Sequence, residues 1–458
     1  MAKIDFAHKA QRKMFEAILD SVIKHSNSDR TKAIKQLVDL VKKTMYDIWG
    51  SATYEMFGFS SKSDSKWMKY IDNLLNYVHP NIIKGKALNT AYEAGYRGFR
   101  IAQDMKKKHG INIPWIILVD PTSACNLKCT GCWSAEYGHL IQLSYEELDR
   151  IITEGEELGI YAWLMTGGEP LIRKADILKL AEAHPYSSFH IFTNGTLIDD
   201  AFCEEVVRLG NIAPSISLEG FEEVNDLRRG KGVFQKVMHA MDTMKKHKLL
   251  FGTSICYTSS NYKTVTSDEF LDMIISKGVK YTWYFHYMPV GNDASTDLLL
   301  TPEQREYMYH RVREIRAGEG GKPIIAVDFQ NDGEYVSGCV AGGKYYCHIN
   351  PNGDVEPCVF IHYSSANIHD MSLLDCLKQP LFKAYKANQP FNPNHLKPCP
   401  MLENPEKLIQ MVHETGAKST DLQSPETVEN LCGKCEHYAA DWNDTADKLW
   451  NAGHHVKK

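Results

Sequence analysis

The 458-residue chain reads as an α/β protein: a partial (β/α)6 barrel of TIM type, with a helical N-terminal domain before it and a cysteine-rich α+β extension after it. Three observations predict this. Up to residue 110 the apolar residues recur with a helical period. From Ile113 they fall into short β-branched runs alternating with amphipathic helices, the pattern of parallel strands joined by crossovers. All twelve cysteines lie at or beyond Cys125, seven of them after residue 338. The expected divisions are residues 1–110, 111–320 and 321–458.

In the first segment three sets follow the i, i+3, i+4, i+7 spacing of one helix face: Phe15 to Ile23, Ile34 to Ile48, and Met68 to Val78. A fourth helix, near Ala87 to Lys108, ends in Lys106, Lys107, Lys108 and Gly110. Basic residues and a left-handed glycine both suit a helix C-terminus. Six strands are expected at 114–120, 159–166, 189–193, 214–218, 252–257 and 281–287. The helices between them fall at 145–157, 175–183, 200–209, 233–246 and 267–276. Past residue 320 the repeat breaks. Strands are expected at 324–329 and 345–359, the latter a hairpin turning at Asn352-Gly353, followed by a helix at 372–387 and a proline-rich loop at 392–400.

The net charge of -5 conceals +9 over residues 1–110 and -14 over the remainder. The helical segment is therefore expected to dock an anionic or lipid-like substrate or partner and to cover part of the barrel mouth. Tyr46, Trp49, Tyr54, Phe57, Phe59 and Trp67 would suit such a ligand. The longest apolar runs, such as Trp115 to Val119, are far shorter than the roughly 20 residues of a spanning helix, which excludes a transmembrane protein. Met1 to Phe15 has no uninterrupted apolar region of a secretory signal, so a cytoplasmic location with reduced thiols is expected. No nucleic-acid motif is evident.

The sharpest chemical signal is Cys125-Asn-Leu-Lys-Cys129-Thr-Gly-Cys132, directly after the first expected strand. Three thiolates on a short loop can hold three irons of a four-iron four-sulfur cluster and leave the fourth iron open to another ligand. A zinc knuckle completed by His139 is the alternative. Thr166-Gly167-Gly168-Glu169-Pro170 ends the second strand; the glycines permit close backbone approach, and Glu169 can accept a charge-assisted hydrogen bond.

Together these motifs resemble the radical S-adenosylmethionine (radical SAM) superfamily. The resemblance implies a SAM-binding [4Fe-4S] cluster on Cys125, Cys129 and Cys132. It also implies a ligand amine held at Gly167, Gly168 and Glu169, and polar contacts from Thr193, Asn194, Ser217 and Glu219. Arg229 would pair with the ligand carboxylate. Where related proteins carry an aromatic residue before the third cysteine this chain has Gly131, so Trp133 is expected to pack on the adenine. The later cysteines are similar to a SPASM/twitch extension without its dense second half. They imply one auxiliary [4Fe-4S] cluster on Cys339, Cys358, Cys432 and Cys435, with Cys347 and Cys399 as alternates and structural zinc as the other reading. Cys203, Cys256 and Cys376 are assigned to the core. The activity implied is reductive cleavage of SAM to a 5'-deoxyadenosyl radical that abstracts hydrogen from a small molecule, lipid or cofactor precursor, with a flavodoxin or ferredoxin as electron donor. The alternatives are a peptide- or protein-modifying maturase and a non-catalytic iron-sulfur or zinc protein.

Overall fold

The computed structural model describes residues 6–24, 32, 65–291 and 294–454. Seven parallel strands follow one another around the molecule: β1 (Ile116–Val119), β2 (Ala162–Met165), β3 (Ser188–Thr193), β4 (Ile212–Ser217), β5 (Gly252–Tyr257), β6 (Tyr281–His286) and β7 (Ile325–Asp328). Each pairs with its sequence neighbour, Val119 lying opposite Met165 and Tyr257 opposite His286. Sequential order with a helix in each crossover is what right-handed βα units produce. The helices on the outside include α5 (Tyr145–Glu157), α6 (Lys174–Ala183), α7 (Asp200–Leu209), α8 (Glu222–Arg229), α9 (Val233–Lys246), α10 (Asp268–Ser276) and α11 (Pro302–Arg316). Several begin at side-chain caps, and Ser144 with Glu147 forms a complete capping box at α5.

The sheet is larger than the six strands expected, because both of its edges are extended. β7 lengthens one edge. On the other, the hairpin β8 (Tyr346–Ile349) and β9 (Val355–Glu356) lies beside β1, with Tyr346 to Ile349 parallel to Ile116 to Val119. The order is β7-β6-β5-β4-β3-β2-β1-β8-β9. The hairpin turns at Asn350 to Asp354 with Gly353 at φ 83°, as Asn352-Gly353 suggested. Its pairing with β1 spans more than 200 residues, which no local periodicity reveals, and it carries the sheet across the boundary expected at residue 320. The helix expected at 372–387 is two, α12 (Leu373–Cys376) and α13 (Pro380–Asn388), because Pro380 has no N–H to continue a helix and instead opens a new one. Further on lie α14 (Pro405–Thr415) and the 27-residue α15 (Val428–His454).

The N-terminal region forms α1 (Phe6–Lys24), α2 (Lys66–Tyr77), α3 (Pro80–Lys86), a π-helical stretch Ala87–Gly98 and α4 (Phe99–His109), which Gly110 caps at φ 67°. The helix expected over Ile34 to Ile48 lies outside the described residues, as do Tyr46, Trp49, Tyr54, Phe57 and Phe59. Trp67 is buried.

These described helices close the floor of the barrel, not its mouth. Lys86 donates to Ser188 Oγ at 2.5 Å and to the Phe189 carbonyl at 3.1 Å, at the start of β3. Tyr70 donates to the Lys280 carbonyl just before β6, and Asn89 to the Pro185 and Ser187 carbonyls before β3. Gly85 and Gly98 meet the loops that feed strands: a Cβ on either would come within 2.3 Å of a backbone oxygen, of Gly210 or Gly159. Much of the local positive charge is consumed here. Arg12 and His8 hold the buried Glu93, Lys84 holds Glu16 and Asp20, and Lys66 donates to the Ile315 and Ala317 carbonyls.

Candidate active site

At the opposite end of the barrel the strand C-termini surround a cavity of about 170 Å³. Cys125, Cys129 and Cys132, on the loop after β1, line one side of it. The turn after β2 is pressed onto this loop: Gly168 N–H donates to the Thr122 carbonyl at 3.0 Å and Glu169 N–H to the Ala124 carbonyl at 2.8 Å. A Cβ on Gly168 would lie 2.2 Å from the Ala124 oxygen, and one on Gly167 (φ 107°) 2.6 Å from that of Thr122. The two glycines line the cavity, and the close approach that requires them is to the protein's own cysteine loop.

Glu169 is oriented differently from the expectation. Its Oε1 accepts from Leu171 N–H and Thr193 Oγ1, and its Oε2 from Asn194 N–H, at 2.6 to 2.9 Å. Burial raises its carboxyl against these hydrogen bonds. It ties the end of β2 to the end of β3, while Asn194 Nδ2 reaches Asn126 Oδ1 on the cysteine loop at 2.8 Å. Thr193, Asn194 and Ser217 line the cavity as expected residues. Glu219 does not reach it. Fully buried, it accepts at Oε1 from Arg228 Nη1 (2.7 Å) and from Arg229 Nε (2.9 Å) and Nη2 (2.5 Å). Arg229 Nη1 then faces Cys129 Sγ at 3.9 Å. One carboxylate thus fixes two guanidinium groups beside three thiols, and an excess positive charge suits a thiolate-ligated cluster.

Gly131 adopts φ 66°, and a Cβ there would lie 2.8 Å from the ring of Tyr287. Tyr287, one residue beyond β6, fills the space next to Gly131; it is 1% exposed and its hydroxyl has no hydrogen-bond partner. Trp133 also lines the cavity, but its ring packs edge-on against His348, Phe360 and His362 of the extension, at 5.7 to 6.4 Å. Cys256, assigned to the core by sequence, lines the cavity as well. The signal was available: Ser254 and Cys256 share one face of β5, opposite the buried Thr253, Ile255 and Tyr257. Arg228, adjoining Arg229 in the arginine-glycine segment, and Tyr287, which no local spacing marks, line the cavity too.

A second cavity of about 50 Å³ lies in the extension, lined by Cys339, Cys358 and Cys399 and by no charged side chain. Tyr346 donates to Cys358 Sγ at 2.7 Å. Cys399, expected only as an alternate, lines this cavity with them. Cys432 and Cys435 lie about one turn apart on α15, in the same apolar cluster as Cys358 but not among the lining residues. Cys347 is removed from consideration: on β8 it faces the other side from Tyr346 and is buried in the barrel core with Cys376. Cys203 is buried there too. Met288 and Phe360 line both cavities, so two side chains form the wall between them.

Beneath Trp133 runs a buried ion network. His348 lies between Asp120 Oδ2 at 3.0 Å and Glu356 Oε2 at 2.6 Å, and Glu356 also accepts from Tyr137 and Asn350. Burial alone would push the imidazole down, but the two carboxylates outweigh it and hold it up at about 10. The network fastens the end of β1, at the root of the cysteine loop, to the hairpin of the extension.

The donor chemistry of both cavities fits iron-sulfur clusters. Burial pushes the thiols up, to about 11 for Cys125 and Cys339 and about 12 for Cys358, so they remain protonated until metal draws the protons off. Among the described residues no three His, Cys, Asp or Glu side chains converge on a single ion, and a cubane distributes its thiolates over separate irons. His139 is exposed and does not line the loop cavity. No described helix is long and apolar enough to cross a membrane.

Comparison with known proteins gives a radical SAM superfamily match over residues 119–274 and an iron-sulfur cluster-binding (SPASM) domain match over residues 339–401. The chain is 25% identical over 233 residues to an Fe-coproporphyrin III synthase of Methanosarcina barkeri, covering 48% of this chain and 57% of that one, a little over half the relative's length. It is 26% identical over 298 residues to a PqqA peptide cyclase of Granulibacter bethesdensis, covering 60% and 77%. In structure it is similar to Streptococcus suis SuiB bound to precursor peptide SuiA, with TM-score 0.54 and 20% identity, covering 74% and 80%. The last similarity shows the fold alone.

Proposed function

Because the chain belongs to the radical SAM superfamily and carries a C-terminal SPASM iron-sulfur domain, we propose that it oxidises an unactivated C–H bond of a peptide substrate held between its two cysteine cavities. It is a radical SAM enzyme whose cofactors are a SAM-binding [4Fe-4S] cluster and SPASM auxiliary iron-sulfur centres. When reduced, the SAM-binding cluster supplies one electron for cleavage of SAM to methionine and a hydrogen-abstracting 5'-deoxyadenosyl group.

The remaining work falls to the chain's own residues. Cys125, Cys129 and Cys132 hold the cluster in the first cavity. Cys339, Cys358 and Cys399 hold the auxiliary centre. Arg228 and Arg229, fixed by Glu219, balance the thiolate charge and leave Arg229 Nη1 for a carboxylate. Gly167, Gly168, Thr193, Asn194 and Ser217 orient the ligand from the strand ends. Trp133, Met288 and Phe360 exclude water between the cavities, and the helices at the floor seal the lower end.

The single observation that supports an oxidation is the wall of Met288 and Phe360 shared by both cavities, across which a centre in the second would take an electron from a substrate in the first. A peptide is favoured over the small molecule or lipid first expected by the PqqA peptide cyclase among the similar proteins. The anionic-docking role of the N-terminal helices loses support, since those described lie at the floor. The test is anaerobic incubation of the reconstituted enzyme, SAM and dithionite with a library of short peptides or with Fe-coproporphyrin III. The expected result is loss of two hydrogens from a peptide, matched by 5'-deoxyadenosine. Turnover of the porphyrin with no peptide change would replace this reading by one like that of the synthase relative.

A further inference from the structure

One thiol of the first cavity belongs to no cluster loop. Cys256 lies on β5, in the field of Arg228 and Arg229, partly exposed to the interior space. No hydrogen bond to its sulfur is seen. Its neighbour Tyr287 presents the other unused polar group of the wall, a buried phenol without a partner. Burial, opposed only in part by Arg228 and Arg229, pushes the Cys256 thiol up to about 11, so its hydrogen stays on sulfur at neutral pH. A thiol S–H is weaker than an alkyl C–H, as is the phenol O–H of Tyr287, whereas an aliphatic hydroxyl O–H is stronger. A neutral thiol facing a site of carbon-radical chemistry is therefore a hydrogen-atom source.

We propose that Cys256 is a hydrogen-atom donor, giving its S–H hydrogen to the 5'-deoxyadenosyl carbon radical when no substrate occupies the first cavity. The S–H bond breaks homolytically, a C–H bond forms, and the sulfur becomes a thiyl. One electron from the reductant that the enzyme already requires, and one proton from water, restore the thiol. Tyr287, packed against Gly131 and the cavity, shields the thiyl from solvent. This assignment rests on the radical SAM reading of the site, and its test separates the two.

Reconstituted enzyme is incubated with SAM and dithionite in D2O, without substrate, where the S–H has exchanged to S–D. The 5'-deoxyadenosine formed should carry one deuterium. The label per 5'-deoxyadenosine should be lost in Cys256→Ala and in Cys256→Ser, whose aliphatic O–H is too strong to donate, and kept in Tyr287→Phe and in Cys203→Ala, whose thiol is buried in the core. A readout independent of turnover is the S–H stretch in infrared difference spectra. A band lost in Cys256→Ala and kept in Cys203→Ala should shift on adding SAM. Unlabelled 5'-deoxyadenosine from the wild type, or label retained in Cys256→Ala with its iron content intact, would overturn the proposal. Absence of any 5'-deoxyadenosine would instead contradict the radical SAM reading.

Discussion

The two cysteine cavities differ in how they are assembled and in what surrounds them. The first takes three of its four thiols from eight consecutive residues, opens among strand ends, and has Arg228 and Arg229 in its wall. The second gathers Cys339, Cys358 and Cys399 from segments up to 60 residues apart, is about a third the volume, and has no charged lining. A wall carrying two guanidinium groups admits a charged ligand that must come and go. A smaller, uncharged one suits a centre that stays in place and exchanges only electrons. The division of labour between the cavities follows from that contrast.

The largest expected effect breaks one cavity and spares the other. Cys129→Ala should lower reductive 5'-deoxyadenosine formation at least about 1,000-fold, while the triple alanine variant of the three loop cysteines keeps about four irons per chain in the extension. Iron analysis near zero, with stoichiometric zinc, would show that the extension holds no cluster.

Cys399→Ala should do the reverse, removing the auxiliary iron and substrate oxidation while uncoupled SAM cleavage continues. Cys435→Ala sharpens the ligand set. If it abolishes the auxiliary centre as fully as Cys399→Ala does, α15 contributes the fourth ligand.

The ion network linking the two regions predicts a stability effect. His348→Gln leaves Asp120 and Glu356 facing one another without the cation and should cost about 3–5 kcal/mol, read from chemical unfolding. The folded His348 pKa is raised from 6.5 to about 10, so its contribution is full below 6.5 and is lost as the pH rises through about 10. The stability gap between wild type and variant should narrow over that window. A gap that widened with pH would mean the imidazole is neutral.

The smallest effect concerns the cavity wall. Gly131→Ala places a side chain at φ 66° and 2.8 Å from the Tyr287 ring, costing about 1–2 kcal/mol and weakening SAM binding more than auxiliary iron content. Equal losses in both would place Gly131 in general packing.

Legibility in the sequence followed locality. The cysteine loop, the Gly167-Gly168-Glu169 turn, the first six strands and the Gly110 cap were readable because each rests on spacing within a few residues. Cys399 was ranked below Cys432 and Cys435 because the short spacing of that pair looks like a ligand set, whereas the cavity is assembled across distant segments. The pairing of β8 with β1 and the position of the N-terminal helices at the floor depend on tertiary packing, which periodicity does not encode. Glu169 and Arg229 lie beside the cysteine loop, where they also hold Thr193, Asn194 and Glu219, partners that motif spacing does not reveal. Cys256 was misassigned although strand alternation pointed inward, because its apolar neighbours suggested core.

The central claim is that two separate centres share one wall and only the first meets SAM. It is tested most directly by electron paramagnetic resonance of the dithionite-reduced, reconstituted protein with and without SAM. Two signals are predicted. Adding SAM should change the one that disappears in the triple variant of Cys125, Cys129 and Cys132 and leave the other unaltered. A single signal in the wild type, or a change in the signal that survives in the triple variant, would contradict the account.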